Sequence, residues 1–246
     1  MNPTSAPTVH VPLPGPPRAL RAQSTLLGNM LLVCGILSQL LYVAMNVIAA
    51  MLYEGYNAAS QTVSELSAIG APTRPLWVGL GAVYGLLIVA FGWGVWRSAG
   101  RNRALRVVGG LMIAGAIIGF FWPPMHQREV LAAGGKTLTD TMHIVLTAVW
   151  GLLAMLTIGF GAAAFGRRFR LYSIATIVML IGFGVWTSLY APRMEANLST
   201  PWIGITERMN IGAYVIWVTV LAIALLRAPL EQPQVGDVAG SKGERT

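Results

Sequence analysis

The sequence predicts an all-α protein, a six-helix transmembrane bundle with an amphipathic helix in its first outer loop. Three observations carry that prediction. Only 11% of the 246 residues are charged, against roughly 25% in a soluble domain. Hydrophobic residues make up 55% of the chain, and mean hydropathy is +0.62. The apolar residues fall into six runs, at 26–52, 75–96, 107–122, 141–165, 171–190 and 201–226. Each is close to the roughly 17–25 residues that cross about 30 Å of hydrocarbon. Lipid offers the backbone no hydrogen-bond partner, so each run must close its own bonds as a helix.

Residues 1–24 hold six prolines (Pro3, Pro7, Pro12, Pro14, Pro16 and Pro17) and read as a disordered cytoplasmic tail. The run at 26–52 far exceeds the roughly 7–15 residues of a signal-peptide core, so it reads as the first span. Residues 58–69 place Ser60, Ser64 and Ser67 on one helical face and Val63, Leu66 and Ile69 on the other. An amphipathic helix is expected there, closed by Gly70 and Pro72. The third span is the shortest and lengthens if Arg103 and Arg106 snorkel. Gly115 and Gly119 form a GxxxG pair in it, expected to pack within the bundle. Residues 25–227 thus form the transmembrane domain, and 228–246 a second disordered cytoplasmic tail.

Net charge is +8. The basic residues are dispersed among short loops and not clustered on one face, which excludes a nucleic-acid surface. Their distribution sets orientation. With the N-terminus inside, twelve of the seventeen Lys and Arg lie in inner segments, and only Arg74, Arg128, Lys136, Arg193 and Arg208 are outer. The positive-inside rule then puts both termini in the cytoplasm. A cell inner (plasma) membrane protein is expected. One cysteine, Cys34, leaves no intrachain disulfide and no cysteine metal site.

Polar stripes run down three spans from their outer ends. Gln39, Tyr42 and Asn46 share one face of the first. Asp140, His143, Thr147 and Trp150 share a face of the fourth, and Glu207, Asn210, Tyr214 and Trp217 a face of the sixth. Polar side chains in a span face protein or a water-filled cavity. One shared cavity opening outward is expected, with interhelical hydrogen bonding as the competing account. Glu65, Glu207, His143 and Asp140 are the candidate catalytic acids and bases. Asn46, Ser64, Arg208, Trp202, Asn210 and Tyr214 are the candidate binding residues. Arg208 is expected to meet Glu65 or Glu195, and Glu207 to meet His143 or Arg193. His126 and His143 could hold a metal with Asp140, Glu129 or Glu65, but their spacing matches no recognised ligand motif. A cap role for Thr139 or Asp140 competes with it. No metal or cofactor is expected. No nucleophile elbow, Walker loop or dinucleotide fingerprint occurs.

The stretch 60–72, SQTVSELSAIGAP, resembles the first outer loop of a family of prokaryotic integral membrane proteins classed as domain of unknown function 998. The Trp122-Pro123-Pro124 turn with His126, then His143, resembles later features of that family. The stretch 200–208, TPWIGITER, is similar to its final outer motif. The resemblance covers residues 26–227. It implies an integral membrane location and this fold, and no activity.

Three functions fit the residues. The first is an outward-facing polar cavity that binds a lipid- or isoprenoid-like molecule or converts it by acid–base chemistry. Membrane lipid, with a hydrophobic small molecule, is then the partner. The second is a small proton-coupled transporter, and the third a structural or regulatory protein without chemistry. The orientation is testable first. In a Cys34→Ala background, single cysteines near residues 56 and 133 react with an impermeant maleimide added outside, and those near 99 and 240 do not. Reaction at 99 overturns the orientation.

Overall fold

The computed structural model describes residues 18–228, with side chains from residue 25 onward. The tails expected at 1–24 and 228–246 lie, up to residue 17 and from residue 229, outside the described residues. The helices are α1 (Arg18–Leu52), α2 (Arg74–Ser98), α3 (Arg103–Phe120), α4 (Arg128–Ala132), α5 (Leu138–Ala164), α6 (Arg167–Ser188), α7 (Ala191–Glu195) and α8 (Ile203–Arg227). Six of these are long and apolar enough to cross a membrane: α1, α2, α3, α5, α6 continued into α7, and α8. The protein is a six-helix transmembrane bundle.

Local chemistry sets the helix ends. Pro75 sits in the first turn of α2, where a missing N–H costs nothing. Asn102 caps α3 by accepting the Leu105 N–H at 3.1 Å. The helix therefore begins at Arg103, the lengthening expected if Arg103 and Arg106 reach back to the interface. Thr137 and Asp140 form a capping box on α5. α8 starts at Ile203, two residues later than expected, so Glu207 lies only about 6 Å along it at 1.5 Å per residue.

The amphipathic helix expected at 58–69 does not form. The segment is a chain of turns with a single short 3₁₀ turn at Ser64–Ser67. Two side chains compete with an α-helical ladder. Glu65 reaches back to the Thr62 N–H at 2.6 Å and its hydroxyl at 2.8 Å. The carbonyls of residues 58–61 are taken by groups from other elements. Local side-chain bonds of this kind displace helix wherever the remaining backbone groups find tertiary partners.

The spans close a ring: α1 on α2, α2 on α3, α3 on α5, α5 on α6, α6 on α8, and α8 back on α1. Phe91, Val95, Val108, Ile158, Trp217, Val218 and Leu221 are fully buried inside it, toward the end opposite the long loops. The Trp217 indole N–H is satisfied by Ser173 Oγ at 2.9 Å. The tightest approach of one helix backbone to another is not at the GxxxG pair. A Cβ on Gly109 would lie 2.6 Å from Gly92 O, whereas Gly119 has nothing within 4 Å and Gly115 only Trp150, at 3.9 Å. The α2–α3 crossing supplies this contact because two glycines there face each other across the seam.

Gly109→Leu should therefore lower the melting temperature in detergent, through an overpacking cost of about 1–3 kcal/mol. Gly119→Leu should leave it unchanged. Equal effects would refute the assignment of the seam.

Candidate functional site

Three connections meet at one end of the bundle: residues 53–73, 121–137 and 189–202. Arg128, from α4, joins all three. Its Nε donates to Glu65 Oε1 at 2.5 Å and its Nη2 to Glu65 Oε2 at 2.9 Å. Nη2 also donates to Ser60 O at 2.8 Å, and Nη1 to Thr200 Oγ1 at 2.6 Å. The side chains are 9% and 5% exposed, so this is a buried, forked ion pair in which all three guanidinium nitrogens donate. Thr200 in turn donates to Ser60 O at 2.8 Å. Near this pair the surface holds a polar cleft of about 200 Å³ lined by Tyr53, Gln61, Gln127 and Glu129 among others.

A second set of bonds fastens the same loop to α8. Arg208 Nη1 donates to Ala58 O at 2.8 Å and Gln61 O at 3.2 Å, and Nη2 donates to the Tyr56 hydroxyl at 2.6 Å. Burial pushes the Tyr56 phenol up to about 12 while Arg208 pulls it back, so the hydroxyl stays protonated and donates to Thr62 O at 2.7 Å. Ala59 O accepts the Gly204 N–H at 2.9 Å and caps α8. Any Cβ at residue 204 would run into the Ala58 and Gln61 carbonyls. Only glycine permits this approach.

Beneath the loop lie Ser64, His143 and Glu207. Glu207 Oε2 accepts the Val63 N–H at 2.5 Å, and its carboxylate also faces the Ser64 N–H. His143 Nε2 is 3.1 Å from Ser64 Oγ. His143 Nδ1 is 2.8 Å from Pro123 O, and Trp122 Nε1 is 3.2 Å from the same nitrogen. The carbonyl can only accept and the Trp122 indole N–H can only donate, so the two compete for Nδ1, and the nearer carbonyl takes its proton in one of the two tautomers. In that tautomer Nε2 accepts from the Ser64 hydroxyl, and in the other it donates to it. Asp140 is occupied elsewhere. It closes the Thr137 capping box and accepts the His126 N–H at 2.7 Å, with His126 Nδ1 at 3.0 Å.

Glu65, His143, Glu207 and Arg208 thus all reach the 58–69 segment, but with partners other than those expected. Arg208 meets backbone carbonyls and Tyr56, not Glu65 or Glu195, because residue 208 faces the loop's carbonyl edge. Glu207 meets two backbone N–H groups, not His143 or Arg193. Glu195 pairs with Lys136 at 2.6 Å. The cap beside Asp140 is Thr137, not Thr139. Among the binding candidates, Asn210 donates to Leu180 O at 2.6 Å and ties α8 to α6. Tyr214 packs edge-on against Trp150 at 5.0 Å. Trp202 is 53% exposed, and Asn46, half-buried on α1, takes no part in this network. Among the described residues no group of three His, Cys, Asp or Glu is placed to hold a metal.

Sequence reasoning missed Arg128, Thr62, Tyr56 and Thr200. Arg128 counted only toward topology, and its signal was there: a basic residue in a loop set whose other members are mostly acidic or neutral. Arg128→Ala leaves Glu65 charged and buried without its partner. It should cost about 3–5 kcal/mol of stability, read as a large fall in melting temperature. The double variant Arg128→Met/Glu65→Met should recover part of that loss. A single variant that melts with the wild type would show that the pair does not hold the loops.

These contacts sit on segments that the comparisons also recognise. No curated protein and no solved structure matches the chain. A family model described as "Protein of unknown function (DUF998)" matches residues 36–224, from the middle of α1 to the last turn of α8. That span takes in all three connections and every side chain of the network, so the chain belongs to the DUF998 family of membrane proteins of unknown function.

Proposed function

We propose that the loop-rich end faces outward from the inner (plasma) membrane, with both chain ends in the cytoplasm. There the protein binds a lipid- or isoprenoid-like molecule or converts it by acid–base chemistry. The observation that carries this reading is the convergence of Glu207 and His143 on Ser64. Glu207 lies about 6 Å and His143 about 7.5 Å along their helices, at 1.5 Å per residue. A bilayer of about 40–45 Å with about 30 Å of hydrocarbon leaves an interfacial layer of that depth on each side. Phe121 and Leu138, 79% and 73% exposed, flank the site with apolar surface.

In this reading Glu207 and His143 exchange protons with the bound molecule. Arg208, Asn210 and Tyr214 shape the surroundings, and Asn46 and Trp202 contact the molecule only at the margins. Glu65 and Asp140, whose oxygens are engaged by Arg128, Thr62, Thr137 and His126, are positioning residues. The layer of fully buried apolar side chains below disfavours the transporter alternative, which needs a polar path through the bundle. A structural or regulatory role without catalysis is the second reading. It is favoured by how completely the two Arg side chains are satisfied by protein groups.

Lipid and isoprenoid content of membranes with and without the protein separates these readings. The wild type should alter the profile, and Glu207→Gln and His143→Gln should abolish the change. A positioned proton transfer contributes about 10²–10⁴ in rate, so a loss of about 100-fold or more is expected. An unaltered profile, with variants that only melt earlier, would overturn the catalytic reading.

A further inference from the structure

We propose that Ser64 is a nucleophile activated by His143, and that the substrate class is a carboxylic ester of a membrane lipid. This rests on the reading above and deepens it from proton exchange to acyl transfer.

The geometry is that of an activated hydroxyl. Ser64 Oγ is 3.1 Å from His143 Nε2, within the reach that a nucleophile and its base require. The base is itself oriented: Nδ1 lies 2.8 Å from Pro123 O, and the Trp122 indole N–H, edge-on to the imidazole, points at the same nitrogen from 3.2 Å. The proposal uses the tautomer with the proton on Nδ1, toward Pro123 O, in which the Nε2 lone pair faces the serine as a general base needs. Here one nitrogen is fixed on the 121–137 connection and the other meets a half-buried hydroxyl. Two other serines of the same loop differ: Ser67 Oγ donates to the backbone carbonyl of Ser64 at 3.1 Å, and Ser60 contributes its carbonyl to Arg128 and Thr200.

Depth selects the substrate class. The ester carbonyls of bilayer lipids lie between hydrocarbon and headgroups, the level at which the reading above places Ser64 and His143. In the step, Ser64 Oγ bonds to the ester carbonyl carbon as its proton passes to His143 Nε2. The bond from that carbon to the alcohol oxygen breaks, and Nε2 returns the proton to the departing alkoxide. Water, deprotonated in the same way, then releases the fatty acid and restores Ser64. The Val63 and Ser64 N–H groups are the donors beside the reacting oxygen. Glu207 holds them in this state, so an acyl oxygen competes with that carboxylate for them.

The test uses the full chain in detergent with a long-chain alkyl fluorophosphonate, a probe that phosphonylates activated serines. Intact mass and peptide mapping should find one adduct, on Ser64. Ser64→Ala should abolish it without changing the melting temperature, and His143→Gln should slow it by about 100-fold or more. A folded wild type unlabelled at Ser64, equal labelling of Ser60 and Ser67, or wild-type labelling of His143→Gln would each overturn the nucleophile. Labelling at Ser64 with an unchanged membrane lipid profile would keep the nucleophile and remove the lipid substrate. A changed profile without labelling would keep the acid–base reading and remove the nucleophile.

Discussion

The loop-rich end depends on one buried ion pair. Arg128 brings a positive charge into a buried place, and Glu65 answers it with two oxygens in a fork. An isolated charge there would be very costly, so the pair forms only with both partners and their remaining bonds in place. Those remaining bonds go to Ser60 and Thr200, which belong to two different connections. The requirement to satisfy one guanidinium therefore fixes three loops at once. The 58–69 segment gives up helical structure to meet it. Its carbonyls, which a helix would have turned inward on itself, instead serve Arg128, Arg208, Tyr56 and the first turn of α8.

This arrangement sets the chemistry below it. With the loop pinned, Ser64 stands over α5 and α8 at a fixed distance, and His143 and Glu207 find it from opposite helices. The two histidines divide their work by what each nitrogen can reach. His126 is drawn to Asp140 and becomes part of a helix start. His143 is held by a carbonyl on one side and keeps its other nitrogen for a hydroxyl. The acids divide likewise. Glu65 and Asp140 are saturated by donors that hold the fold, while Glu207 meets only backbone N–H groups at the face of the site.

The rest of the bundle gives the site a closed floor. Ring closure from α8 to α1 buries Phe91, Trp217 and their neighbours completely, and helices in lipid associate through such close packing and not through water exclusion. Of the polar groups that lie deeper, Ser173 beneath Trp217 and Leu180 O beneath Asn210 each bind one neighbour across a helix seam. They do not line a route through the bundle. The end with long loops and the end with short ones thus differ in kind: one is a polar assembly, the other a packed apolar plug.

The membrane class, the number of spans and the identity of the end that carries the polar chemistry were legible in the sequence. Run length, scarcity of charge and the spacing of Asp140, His143, Glu207 and Asn210 are one-dimensional consequences of crossing a bilayer. So were the Asp140 cap role and the convergence of Glu65, His143, Glu207 and Arg208 on one loop, since polar groups at the ends of spans must find partners. The sequence by itself did not determine which partner each would choose. The 58–69 segment has a helical pattern, and its periodicity could not register that a distant guanidinium and a distant glycine compete for its carbonyls. Arg128 stands 63 residues from Glu65, and Ser64 stands 79 from His143. Pairings over such distances are set by where ring closure puts the loops, and only the tertiary structure decides that.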